Sequence, residues 1–282
     1  MNNRRVKTNM RRHGLNSCMW LHLPIFILLC TERERMKMIK NEFLKETIPD
    51  RTVVLTFDDV LENHYTIAIP EMQARGFTGT LYASEVSFPA YGADNYADGL
   101  NKNIYMTWEQ IAEASRRGFE IGNHSMNHRD LLAMTEEAVN AEISGIEQKC
   151  EEYGIRRPVT FAYPGLQYSE TIIRILKDRG YCLARTGLAD VYDPDAQSPY
   201  RVMSASIDGN DVDGFVRLVQ KAKYGKIVVV MYHDTPNREV FAAMMEYLKQ
   251  NDYHVMAMKD IARYVDVERA EKAFEQNPEK GM

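Results

Sequence analysis

From Thr52 onward the apolar and polar positions switch between a strand-like and a helix-like period. Thr52-Val53-Val54-Leu55-Thr56-Phe57 is a β-branched, apolar run that stops at Asp58-Asp59, the pattern of a strand. A helical stretch follows and ends near Arg75-Gly76, where glycine closes a helix in the left-handed conformation. Residues 78–83 predict a second strand. Thr107-Trp108-Glu109-Gln110 has the composition of a capping box and opens a helix that ends near Arg117-Gly118. Residues 119–122 predict a short strand, and Thr135 opens a long amphipathic helix to about Tyr153. A strand over 159–162, a helix over 169–179 closed by Gly180, a helix over 238–250 and a strand over 254–256 complete the pattern. Ile227 to Met231 is an unbroken apolar run, as expected of a strand buried on both faces. Such repeated strand–helix units predict a parallel sheet or barrel with helices outside, in one α/β domain over residues 38–265. Residues 87–102, rich in Gly, Ala, Asp, Asn and Tyr, read as a long loop at the mouth, and residues 266–282 as a charged tail with room for one outer helix.

Composition narrows the function classes. The chain has 282 residues, 45% hydrophobic and 27% charged, enough for a full core. Its 35 basic and 40 acidic residues leave a net charge of −5, the wrong sign for tracking a phosphate backbone, so nucleic acid is not an expected partner. The four cysteines, Cys18, Cys30, Cys150 and Cys182, have no paired spacing, which argues against a disulfide scaffold or a cysteine zinc site. Oligomeric state is not legible.

Residues 1–37 differ from the rest. Basic residues between Arg4 and Arg12 precede a short apolar run, Leu21 to Cys30, broken by His22 and Pro24 and followed by Glu32-Arg33-Glu34-Arg35. The run is too short to span a membrane. Two readings stand. It is a targeting segment without a small-x-small cleavage site, which implies an exported or membrane-associated protein. Alternatively the start is mis-called, since Glu-Arg-Glu-Arg can be written in purine codons like a ribosome-binding site; translation from Met36 or Met38 then implies a cytoplasmic protein.

Three polar clusters stand at predicted strand ends, where parallel α/β folds gather catalytic groups. In Asp58-Asp59 the adjacent carboxylates point in different directions, so one can hold a metal while the other moves a proton; helix capping is the bland alternative. In His124-Ser125-Met126-Asn127-His128 the i, i+4 histidines fall on one side of a helical turn and can share one ion, for which imidazole suits zinc, cobalt, nickel or iron. His233-Asp234 supplies a general acid whose tautomer a carboxylate can fix, or else an ordinary loop histidine. His64 lies close to the aspartates without a defined role.

In this order, Thr56-Phe57-Asp58-Asp59, His124 to His128, Phe161-Ala162-Tyr163-Pro164-Gly165 and Val230-Met231-Tyr232-His233-Asp234 resemble the motifs of the polysaccharide deacetylases, carbohydrate esterase family 4, over about residues 50–262. The resemblance implies a distorted (β/α) barrel with seven or eight parallel strands. It implies one divalent metal ion, zinc foremost, held by Asp59, His124 and His128, with Asp58 as general base and His233 as general acid. It puts the backbone N–H of Gly165 at the oxyanion, and Asp234 is a further candidate beside the substrate. Tyr163, with Trp108, Tyr82 and Tyr232, is a candidate to stack on a sugar face, a core or rim place being the stronger reading for each.

The chain also departs from that pattern. Val60 replaces the usual glycine after the aspartates, and Ala162 stands where an arginine usually positions the base. Arg185 is a substitute from a neighbouring strand, and Asp208 a weak one for the Asp-x-x-Asp-Trp element that supports the acid. Hydrolysis of N-acetyl groups on amino sugars or oligosaccharides is the leading expectation. An O-acetyl esterase, or a hydrolase of small cyclic amides, keeps the same site. A non-catalytic carbohydrate-binding barrel needs neither acid nor base.

Overall fold

The computed structural model describes residues 43–85, 104–188, 191–207 and 211–276. The N-terminal segment, most of the long loop and Asp208 lie outside the described residues. Among the described residues, eight parallel strands occur in the order of the chain: β1 (Thr52–Asp58), β2 (Thr80–Ala83), β3 (Glu120–Asn123), β4 (Thr160–Ala162), β5 (Leu183–Leu188), β6 (Val202–Ser206), β7 (Val228–Tyr232) and β8 (His254–Met256). Each of the first six pairs with the next, and β7 pairs back onto β1, which closes a seven-stranded barrel. The distortion sits on β1. Its first half, Thr52 to Val54, pairs with β8, and its second half, Thr56 to Asp58, pairs with β2. One strand edge is thus shared between a barrel neighbour and an extra strand.

The helices are α1 (Ile69–Gln73), α2 (Trp108–Arg116), α3 (Glu136–Glu152), α4 (Glu170–Asp178), α5 (Val212–Val219), α6 (Arg238–Gln250), α7 (Ile261–Tyr264) and α8 (Val267–Gln276). The capping box at Thr107 and Gln110 forms, and Thr135 and Ser169 each accept a backbone N–H at the starts of α3 and α4. The stretch before Gly76 is not one regular helix: a π-helical turn, His64–Ala68, leads into α1. The hydrophobic pattern gives no bounds for β5, β6 or α5, although Arg185 is expected on a strand. The two strands carry Arg185, Thr186, Gly187 and Ser204, and these polar and small residues break the apolar run that marks a buried strand. Helix α8 packs on the domain through Ala270 and Phe274, whose ring lies 5.9 Å from that of Phe43. No helix among the described residues is long and apolar enough to cross a membrane.

Strand alternation sorts the core. On β1, Val53, Leu55 and Phe57 face outward into the layer that holds Phe241, Met244 and Leu248 of α6. Thr52, Val54, Thr56 and Asp58 face the other way, into the barrel. The interior is layered. At its floor, the buried Glu120 carboxylate accepts from Thr80 Oγ1, Thr160 Oγ1 and the Lys259 N–H, each at 2.8 Å, tying β2, β3 and β4 to the segment after β8. Above it lies the Tyr82 ring. A Cβ on Gly122 would come within 2.4 Å of that ring, so glycine is what lets it in.

Candidate metal-binding and catalytic site

The site is the upper layer of this interior. Asp58 is the last inward residue of β1, and two-residue periodicity from Glu120 and Gly122 also turns His124 inward just past β3. Alternation alone would send Asp59 to the opposite face from Asp58. The backbone prevents this by entering the left-handed region at Asp59 (φ 65°) and Val60 (φ 47°). Both carboxylates therefore meet His124, with Asp58 Oδ2 3.8 Å and Asp59 Oδ1 3.7 Å from its Nε2. A buried β-branched residue at such a φ is strained, and strain of this kind gathers at functional sites.

The two motif histidines converge, but not on a helical turn. Residues 124–128 form a loop with left-handed backbone at Ser125 (φ 63°) and His128 (φ 44°), which folds the rings to a centroid distance of 4.6 Å. The loop is held from behind. Asn123 Oδ1 accepts from the Ser125 N–H, and the buried Glu142 carboxylate on α3 accepts from the Asn127 N–H at 2.7 Å and from Asn127 Nδ2 at 2.8 Å. Each of these bonds satisfies a donor that loop formation would otherwise strand.

One ligating atom each from Asp59, His124 and His128 lies within 4.8 Å of the others. His124 Nδ1–H donates to the Ala162 carbonyl at 2.8 Å, which fixes the tautomer and leaves the Nε2 lone pair facing the carboxylates. That buried Nε2 has no hydrogen-bond partner among the described residues. Burial lowers the His124 pKa to about 3, so the ring is neutral, and burial also lowers that of His128. Burial first, and then the Asp58 charge, push Asp59 up to about 7. An unpartnered imidazole nitrogen beside a carboxylate that resists ionisation is a donor set that fits one divalent cation of the zinc type.

Asp58 is in the opposite condition. Burial raises its pKa, but the Arg185 charge foremost, with the neighbouring His124 and His233 imidazoles and the Arg185 hydrogen bond, outweighs burial and holds the carboxyl below its usual range. Arg185 is wholly buried on β5, and its Nη2 reaches Asp58 Oδ1 at 2.7 Å and Oδ2 at 2.5 Å. Its Nη1 donates to Ser204 Oγ at 3.2 Å and meets Met231 Sδ at 2.7 Å, and its guanidinium carbon lies 5.3 Å from the Tyr82 ring centroid. Beyond Arg185 the β5–β6 register shifts, with Arg185 opposite Val202 and Leu188 opposite Ser204; the extra residue is a bulge of the kind found beside active sites.

The remaining sequence candidates divide. His233, just past β7, is exposed at the mouth, close enough for its charge to act on Asp58 and His128. Gly165 is exposed in the turn after β4, with φ 63°. Tyr163 does not reach the opening: its ring is buried and its hydroxyl donates to the Tyr200 carbonyl at 2.9 Å. The hydrogen bond that the structure gives Asp234 comes from Asn63 Nδ2 at 3.4 Å, not from His233. Met231 and Ser204 were not singled out by the sequence, since a methionine in an apolar run and a lone serine carry no local signal.

His64 acquires a place. It is wholly buried, with its ring 5.2 Å from that of Phe57, and burial lowers its pKa to about 4 against the pull of the His233 carbonyl and the Asp58 charge. Between pH 6.5 and about 4 the unfolded chain protonates this histidine and the folded chain does not, so acid favours unfolding. Stability from His64 is thus complete above pH 6.5 and declines by about 3 kcal/mol down to pH 4. Urea midpoints across that window should show a shallower decline in His64→Phe than in the natural chain.

With this geometry in view, the relatives are informative. The family described as polysaccharide deacetylase matches residues 45–184. The peptidoglycan-N-acetylglucosamine deacetylase of Bacillus cereus is 24% identical over 222 residues, covering 76% of this chain and 90% of its own. The Bacillus subtilis protein YxkH is 22% identical over 167 residues, and the match spans 59% of this chain but only 54% of that relative. In fold, the chain is similar to Bacillus subtilis PdaA, a family 4 carbohydrate esterase, with a TM-score of 0.53 at 20% identity over 81% of this chain and 87% of that one. Over residues 45–184 the chain belongs to the polysaccharide deacetylase family, and it is built as a distorted (β/α) barrel of seven closed strands and one extra.

Proposed function

We propose that the protein is a metal-dependent deacetylase that hydrolyses N-acetyl groups of amino sugars or oligosaccharides. The observation that carries this reading is the division of labour between adjacent aspartates: Arg185 keeps Asp58 anionic, while Asp59 stands with His124 and His128 as a ligand set. Asp59, His124 and His128 would hold the ion. When bound, a divalent ion supplies Lewis acidity to the acyl oxygen and makes water a better nucleophile.

The chain's own residues do the rest. The Asp58 carboxylate accepts the proton of the attacking water. Arg185 fixes its orientation through both oxygens. The N–H of Gly165, an exposed residue in the turn after β4, would receive the negative charge that develops on the acyl oxygen, where a preorganised donor is worth most. His233, protonated, donates to the leaving nitrogen as the carbon–nitrogen bond breaks. An amine leaves as the neutral species only with such a proton. A binding barrel would have no use for a buried arginine clamped to a carboxylate beside an exposed histidine.

Acetate release by the purified, metal-loaded chain tests the reading, with N-acetylglucosamine oligomers, acetylated xylan and small cyclic amides as substrates. Release from the oligomers, lost on chelation and restored by zinc or cobalt, is expected. Turnover of the xylan or the cyclic amides alone would replace the N-deacetylase reading with the esterase or amidase one, and turnover of none would overturn it.

A further inference from the structure

Past β7 the chain runs irregularly from His233 to Asn237, the cap of α6. His233 is exposed, so side-chain packing does little to aim its imidazole. Its backbone is held instead. His64 Nε2 lies 2.7 Å from the His233 carbonyl, and since a carbonyl only accepts, Nε2 carries the proton. The neighbouring Asn63 reaches the next two residues, donating from Nδ2 to Asp234 Oδ1 and accepting the Thr235 N–H at Oδ1, both at 3.4 Å.

We infer that Asn63 and His64 form a clamp that sets the position of His233 for proton delivery, with His64 as the principal positioning residue. This rests on the reading of His233 as general acid. Three observations favour positioning over packing. His64 Nδ1 is buried with no hydrogen-bond partner among the described residues, a cost that a phenylalanine in the same aromatic surroundings would avoid. The one polar contact that repays it goes to the residue that carries the acid. The clamp also follows Asp58 and Asp59 on the same short segment, so base, ligand and acid are referenced to one piece of backbone. A second tie comes from the start of α6, where Arg238 Nη2 donates to the Thr66 carbonyl at 2.6 Å and Nη1 to Glu71 Oε1 at 2.7 Å. These bonds anchor the far side of the 233–237 stretch to the same π-helical turn and to α1 directly after it.

The test compares His64→Phe, which keeps an aromatic ring without the donor, with His64→Gln, which keeps an N–H donor at similar reach. In the metal-loaded full chain, His64→Phe should lower kcat on N-acetylglucosamine oligomers about ten- to a hundredfold, the usual scale for a lost supporting bond, with KM within about twofold and metal content unchanged. Amide hydrogen exchange over residues 233–237 should quicken in the same variant. His64→Gln should recover most of kcat and slow the exchange again. Natural turnover and exchange in His64→Phe would overturn the clamp. So would a His64→Gln variant as impaired as His64→Phe, which would assign the effect to packing. A natural chain that releases no acetate would refute the deacetylase reading, and the exchange comparison would still decide whether the clamp exists.

Discussion

Asp58→Asn should keep the divalent ion and lose about a hundred- to ten-thousandfold in turnover, whereas Asp59→Asn should lose the ion itself. An amide at Asp58 preserves shape and still accepts from Arg185 Nη2, but it cannot take a proton from water. At Asp59 the same change removes the anionic member of the ligand set, leaving two neutral imidazoles to hold a dication. Excess metal should therefore rescue part of the activity of Asp59→Asn and none of that of Asp58→Asn. Elemental analysis after gel filtration, together with acetate release titrated against zinc, separates the two. Rescue of Asp58→Asn but not of Asp59→Asn would reverse the roles.

Arg185→Leu should destabilise the fold by about 3–5 kcal/mol, because it leaves the buried Asp58 carboxylate without its cation. Against a typical stability of about 5–15 kcal/mol, that is a large share of the total. The natural pair is not itself worth so much: burying both charges cost most of their attraction, and the loss lies in stranding one of them. The double variant Asp58→Asn/Arg185→Leu should accordingly be more stable than Arg185→Leu alone, a non-additivity expected of groups in contact. Urea midpoints and slopes of the natural chain, both single variants and the double close this cycle. Equal losses in Arg185→Leu and the double variant would show that the damage comes from the cavity and not from the stranded charge. Arg185→Lys should fall between, since an ammonium keeps the charge but cannot reproduce the planar donors that reach Asp58, Ser204 and Met231 together.

Much of the scaffold is written locally. The run from Thr52 to Phe57 forms a strand because β-branched and apolar residues suit a surface buried on both faces, and it is so buried. Thr107, Thr135 and Ser169 start helices because their hydroxyls accept N–H groups within three residues, a preference that needs no tertiary contact. The candidate ligands were legible as residue types at strand ends for the same reason: parallel α/β topology gathers those ends at one face whatever the distant sequence is.

What resisted reading was long-range or depended on backbone handedness. β5 and β6 were hidden because the residues that serve the site, Arg185 and Ser204, interrupt the hydrophobic pattern by which a strand announces itself. The bond from Arg185 to Asp58 spans 127 residues; the local pattern around either residue does not name the other, and only the resemblance, through the arginine missing at Ala162, pointed to Arg185. Closure of the barrel on β1, with β8 and β2 sharing one edge, follows from how the twisted sheet meets itself. The decisive case is the aspartate pair. Periodicity along β1 assigns Asp58 and Asp59 to opposite faces, and only the left-handed turn at Asp59 and Val60 brings both to His124. Local chemistry supplied the ligands and the helix starts, because capping and side-chain type act over a few residues. Tertiary packing supplied the site, because holding a valine at φ 47° and a charged arginine out of water takes the surrounding fold.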